Sequence, residues 1–219
     1  MSCRQYAAVW CLAALAAAGG DTAARAAQTS AGQSSTSQRE FDALLARAKR
    51  SDPTVDFSRL RKLYSETELY TPNRDSEEGE LMSAYSSRDF ARAREVGARI
   101  LERNYMNVNV HIVTTLSCTA LKDDACTDHH DYMMKGLLDS IVASGDGTSP
   151  ATALVVISAT EEYAVTAVMG LSVVSQSLVE RDGHRYDLLV ARDALTGIER
   201  EIYFNIDLAF AALKRMIAR

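Results

Sequence analysis

Apolar residues recur at three- and four-residue spacing through residues 38–143 and then alternate, so a helical half followed by a sheet half is expected. Phe41, Leu44, Leu45 and Ala48 have the spacing of one helix face. Ser37-Gln38-Arg39-Glu40 ahead of them reads as a capping box, and Asp52-Pro53 behind them as a stop. A second short helix is expected from an Asp56 cap, with Phe57, Leu60 and Tyr64 on one face and Pro72 closing it. Leu81 to Tyr85, a turn over Ser86-Ser87-Arg88-Asp89 and the stripe Phe90, Ala93, Gly97, Ile100 and Leu101 make a helical hairpin, Gly97 permitting close approach. His111 to Leu121, the turn Lys122-Asp123-Asp124 and Ala125 to Ala143 repeat that plan. The two turns lie about 35 residues apart, near the tetratricopeptide period. Val108, Val110, Ile112 and Thr114 also alternate as a strand would, whereas Val108, Ile112, Leu116 and Ala120 fit a helix. Helix is preferred, because a bridge between Cys118 and Cys126 would then staple the two arms of the hairpin near its turn.

Beyond Ser144, Ala153 to Ser158 is an apolar run of strand length. Thr160 is expected to cap a short helix, with Glu161 and Glu162 complementing the positive end of its dipole. Alternating strands follow near 172–180, 184–193 and 198–207, with turns at Asp182-Gly183 and Thr196-Gly197. Ile202, Phe204 and Ile206 bury one face of the last strand. Asp207 then caps a final helix with Phe210, Leu213 and Ile217 inward and Lys214, Arg215 and Arg219 toward its C-terminus. The fold class is α+β: N-terminal helical hairpins (a tetratricopeptide-like pair), a small, mainly antiparallel β-sheet and a C-terminal helix. One domain is expected over 38–219, its helical half 38–143 and its sheet half 144–219.

The N-terminus changes the picture of where the domain works. Arg4, the uncharged apolar run Tyr6 to Ala18 and the small-x-small site Ala24-Arg25-Ala26 read as a signal peptide over residues 1–26. The apolar run is 13 residues, short of the roughly 20 that span a bilayer. Residues 27–37, rich in Ser, Thr and Gln, read as a flexible linker. A periplasmic or secreted protein with no membrane span after cleavage is expected. Cleavage after Ala26 removes two arginines and one aspartate, so the formal charge of −5 becomes −6. It also removes Cys3 and Cys11, leaving Cys118 and Cys126 as a pair expected to be bridged in an oxidising compartment. The acidic balance, pI near 5.4, offers no field for gathering phosphates, so no nucleic acid partner is expected.

Ser144-Gly145-Asp146-Gly147, Thr152-Ala153, Val156-Ile157-Ser158 and Glu161-Glu162-Tyr163 resemble the signature of domain of unknown function 4919, a bacterial family. Gly136 to Ile141, Tyr186-Asp187 and Tyr203 to Asp207 are similar to its other blocks, and the resemblance covers about residues 40–217. It implies a single recurrent exported domain. The family has no assigned activity, so it implies no catalytic residue.

Candidate chemistry is sparse. Thr127-Asp128-His129-His130-Asp131 holds metal-ligand residue types, but adjacent histidines on a helix point about 100° apart. His130 falls on the apolar stripe of Cys126, Met133, Met134, Leu137 and Ile141 and reads as a satisfied, half-buried side chain. A metal would require His111 and a carboxylate to converge on it, so no metal or cofactor is expected. Ser144-Gly145-Asp146-Gly147 reads as a sharp connector with Asp146 holding the turn, or as a loop turning N–H groups toward an anion. Glu161 and Glu162 diverge on a helix and read as dipole partners, their alternative being a two-carboxylate acid/base site. Tyr203, Asn205 and Asp207, opposite Ile202 and Phe204, either face solvent or join Gln176 or Asp187 in a polar pocket. The candidate polar cluster is therefore Asp146, Glu161, Glu162, His130, Tyr203 and Asn205. No GxSxG, HExxH, CxxC or dinucleotide glycine pattern occurs. The leading expectation is a non-enzymatic interaction or envelope-associated domain with a protein or envelope partner. The alternatives are a small periplasmic enzyme or metal-dependent hydrolase, with a site between hairpin and sheet, and a small-ligand carrier. Converging polar side chains would favour the enzyme; an exposed apolar groove would favour the interaction domain.

Overall fold

Short Asx caps organise the helical half of the computed structural model, which describes residues 36–72 and 75–218. The expected leader, residues 27–35 of the linker and Arg219 lie outside the described residues. After α1 (36–48), the side chains of Asp56, Asp89, Asn107 and Asp123 each accept a backbone N–H three residues on. They start α2 (Phe57–Glu66), α4 (Phe90–Arg103), α5 (Val108–Leu121) and α6 (Asp124–Val142). With α3 (Glu78–Ser86) these form two consecutive helical hairpins, α3–α4 and α5–α6. The Asn107 cap decides the ambiguous segment after it as helix. Gly97 lets α4 approach α5: a Cβ there would lie 2.5 Å from Thr114 Oγ1.

The sheet half is β1 (Leu154–Val155), α7 (Ala159–Val168), β2 (Leu171–Arg181), β3 (His184–Asp193), β4 (Glu199–Asn205) and α8 (Asp207–Ile217). Among the described residues there are thus eight α-helices and one four-stranded sheet, of order β1-β4-β3-β2. β2, β3 and β4 are antiparallel, and β1 adds parallel to β4, so the sheet is mixed. Asp182 and Gly183 take φ 53° and 78° in the tight turn between β2 and β3. Helix α6 ties the halves together. Met133 and Leu137 enter a core with Phe41, Leu60 and Tyr64, while Ile141 enters the sheet core with Val165, Leu189, Ile202 and Phe204. No helix among the described residues is long and apolar enough to cross a membrane.

Several expected boundaries shift, most of them where a side chain takes a backbone or polar partner. Residues 36 and 37 are already helical, so the linker ends earlier. Ser37 donates to Glu66 and Glu40 pairs with Arg59, so the expected capping box is not formed. α2 stops at Thr67, whose hydroxyl and N–H both turn back to the Tyr64 carbonyl, well before Pro72. The apolar run from Ala153 yields a strand of only two residues, because the Val155 carbonyl and the Ile157 N–H are taken by Arg61 and Glu161. α7 starts after Ser158, with Thr160 the second residue of its first turn rather than its cap. Asp207 is the first residue of α8, its carboxylate spent on Arg185 N–H and His184. Ile217, expected inward, is 58% exposed, since α8 buries Ala212 while its last turn runs past the core.

Candidate functional site

Arg61 is the least expected residue of the interior. It sits on the buried face of α2, where the apolar stripe positions an arginine among Leu60, Leu63 and Tyr64. Its guanidinium meets Glu161 in a two-pronged ion pair, Nε–Oε1 2.8 Å and Nη2–Oε2 2.6 Å. Nη1 donates to Ser140 Oγ and Nη2 also to the Val155 carbonyl, at 3.2 and 2.9 Å. Glu161 Oε2 in turn accepts Ile157 N–H, and the Tyr70 hydroxyl donates to the Ile157 carbonyl. With Arg61 4% and Glu161 2% exposed, this network joins α2, α6, β1 and α7 away from solvent.

Glu162, 1% exposed, points the other way. Its carboxyl shares a hydrogen bond with Asp187 of β3, and Gln176 Nε2 donates to Asp187 Oδ2 at 2.8 Å and Glu162 Oε2 at 3.4 Å. Tyr163 Oη donates to Gln176 Oε1. Burial first, then the Asp187 charge, holds the Glu162 carboxyl well above the usual carboxylate range; burial raises Asp187 as well. Glu162, the more strongly raised of the two, is the protonated partner and donates to the Asp187 carboxylate. Both carboxyls stand in the first turn of α7 and diverge, as the sequence implied, but each is buried in a network of its own.

The histidines form a second cluster. His111 Nε2 faces the Tyr105 carbonyl at 2.9 Å and must donate to it, which leaves Nδ1 to accept from His130 Nδ1, also at 2.9 Å. His129 bonds Ser51 Oγ through Nδ1 and the Tyr105 hydroxyl through Nε2. Burial lowers the pKa of His111 to about 3 and of His130 to about 4, and lowers that of His129. His111 does approach His130, yet no carboxylate joins them. Among the described residues no group of three or more His, Cys, Asp or Glu could hold a metal ion.

The remaining expected site residues lie apart. Asp146 Oδ1 accepts from Thr148 N and Oγ1, and such hydrogen bonds, that of Thr152 foremost, lower its pKa to about 2. It holds its own turn, where Gly147 takes φ 71° and a Cβ on Gly145 would meet the Thr152 carbonyl. Asp187 pairs with Phe204 and Gln176 with Leu189, so both share the helix-covered face of the sheet. Tyr203 and Asn205 alternate with Phe204 and occupy the other face, so they do not join that pair. The six candidates are divided among five separate places.

What the fold does leave open is an apolar groove of about 720 Å³ between α3, α5 and α7. Leu81, Met82, Ile112, Val113, Tyr163 and Val168 line it. Cys118 and Cys126 are disulfide-bonded at the far end of the same hairpin, Cα atoms 5.8 Å apart.

The family model described as Domain of unknown function (DUF4919) matches residues 29–215, spanning both halves. The chain belongs to the DUF4919 family. No curated protein and no solved structure matches it. In this DUF4919 chain, Glu161 and Glu162, adjacent in a family-like block, are committed to two different networks. Arg61, which anchors one of them, escaped the sequence reading. The available signal was a lone arginine four residues after Phe57 on an otherwise apolar stripe.

Proposed function

We propose that this protein is an exported, non-enzymatic binding domain whose partner surface is the groove between α3, α5 and α7. The groove itself carries the reading. Its lining is mainly aliphatic, it is open to solvent, and Met82, Tyr163 and Val168 on it are exposed, as suits the apolar side chains of a protein segment. The buried polar candidates, by contrast, are spent on other partners inside the fold, Glu161 on Arg61, Glu162 on Asp187 and His130 on His111. Export is supported by the leader-like residues 1–26 and is in keeping with a disulfide at Cys118–Cys126. A photo-reactive residue at Met82 or Val168, in leader-bearing protein made in the periplasm, should give a discrete protein adduct that Ile112→Glu removes. The same label at Leu195, 97% exposed and outside the groove, should not. Equal labelling at all three positions would end the proposal.

A second reading rests on the Glu162–Asp187 pair, since a shared proton between buried carboxyls is the equipment of acid/base chemistry. It requires turnover of an ester, glycoside or phosphate substrate that Glu162→Gln abolishes without unfolding the domain. A panel of such chromogenic substrates left untouched by the purified protein removes it.

A further inference from the structure

Strand β2 ends the sheet order and pairs only with β3, so over Leu171–Arg181 one edge is free among the described residues. Sheet edges are usually blunted by short length, proline, inward charge or lysine. β2 has 11 residues, and from Ser172 to Val179 it carries neither proline nor charge. Its one interruption is the bulge between Val173 and Ser175. Beyond that bulge, 175–181 runs in unbroken register with β3, and its midpoint is Leu178, 53% exposed. Leu178 pairs with Asp187, which places it on the helix-covered face, where Tyr163 of α7 is also exposed.

We propose that β2 pairs antiparallel with β2 of a second copy of this chain across a two-fold axis at Leu178, making one continuous eight-stranded sheet. A self-complementary strand is what such an isologous contact needs, and this one fits. Leu178 meets Leu178 of the second copy, Ser177 lies opposite Val179, Gln176 opposite Glu180 and Ser175 opposite Arg181. No like charges oppose one another, and the charged ends fall beside neutral polar residues. The backbone ladder supplies adhesion, and the two leucines with the nearby Tyr163 rings supply apolar cover. The surface meets the groove only at Tyr163, which also lines the groove.

Sedimentation velocity of the purified mature protein over a wide concentration range tests this. A concentration-dependent dimer is expected, and Leu178→Lys should raise its dissociation constant about tenfold or more with the circular dichroism unchanged. Amide exchange of the unsubstituted chain gives a reading that needs no variant: N–H groups within 175–181 should exchange at least about tenfold more slowly in concentrated than in dilute solution. Val168→Glu, in the groove, should leave both results alone. A monomer at every concentration overturns the proposal, as does a dimer that survives Leu178→Lys or leaves exchange of 175–181 independent of concentration.

Discussion

Arg61 shows how a single charged side chain can be both a cost and a specification. Buried with Glu161, it must satisfy its donors where no water reaches, and it does so on a carboxylate, a hydroxyl and a carbonyl. Removing it strands Glu161, so Arg61→Ala should cost about 3–5 kcal/mol in urea unfolding. Replacing both partners, Arg61→Met with Glu161→Leu, should recover most of that loss. A single-variant cost below about 1 kcal/mol would show that water reaches the pair. Glu162 is predicted to behave oppositely. Its pKa is raised in the fold, so the stability it contributes is full below the unfolded value near 4.5 and is lost as pH rises through the folded one. Glu162→Gln should therefore raise the thermal midpoint at pH 7 and give no gain at pH 4; a variant less stable than the parent at pH 7 would contradict the assignment. Neither network was legible in the sequence, because Arg61 and Glu161 stand 100 positions apart and nothing local pairs them. The same holds for Asp187, which becomes Glu162's partner only once α7 lies over the sheet.

Elements were far more legible than these partnerships. Helical spacing, Asx caps and the Asp182-Gly183 turn are local devices, and α2, α4, α5, α6 and the β2–β3 hairpin start or turn where those devices stand. Two element starts and ends that departed from expectation are ones where a distant side chain captured a backbone group, whereas α2 ends on the local turn of Thr67 back to Tyr64. β1 is short because Arg61 and Glu161 occupy its outgoing carbonyl and N–H, and α8 begins with Asp207 turned toward β3. The α5–α6 turn combines two local constraints, Lys122 in the left-handed region at φ 59° and the disulfide of Cys118 with Cys126 across it. Closing so short a loop is worth about 2.5 kcal/mol in chain entropy. Cys118→Ser with Cys126→Ser should lower stability by about that amount. It should also speed amide exchange first at the two helix ends beside the turn. If exchange rises equally in β3 and β4, the bridge supports the whole fold rather than its hairpin.

At the scale of the molecule, two acid-sensitive devices, the histidines between α5 and α6 and the carboxyl pair between α7 and β3, sit on separate flanks of the fold and pull stability in opposite directions. On one flank His111 and His130 fasten α5 to α6, and His129 fastens α6 to Ser51 after α1 and to Tyr105, over whose ring Lys49 Nζ lies at 4.5 Å. His111 stays neutral because it is buried. A second proton on its Nδ1 would also face the N–H of His130, donor against donor. The folded pKa values, about 3 and about 4, lie below the ordinary 6.5, so between those limits the unfolded chain binds more protons than the native one. Stability must then fall as pH drops through 6.5 toward 4, with His111 alone contributing a slope of up to about 1.4 kcal/mol per pH unit. On the other flank, the carboxyl pair gains stability over the same descent, because its raised values let the native state take up protons first. The parent protein should accordingly show a shallow acid limb, the two contributions partly cancelling. In Glu162→Gln the opposing contribution shrinks to that of buried Asp187, and urea unfolding between pH 6.5 and 4.5 should steepen toward a histidine-driven loss. Ring-proton resonances of His111 and His130 should not move over pH 5–7. Titration of His111 near 6.5 would remove the histidine limb, and an unchanged slope in the Glu162→Gln protein would remove the carboxyl one, so each flank can fail by itself.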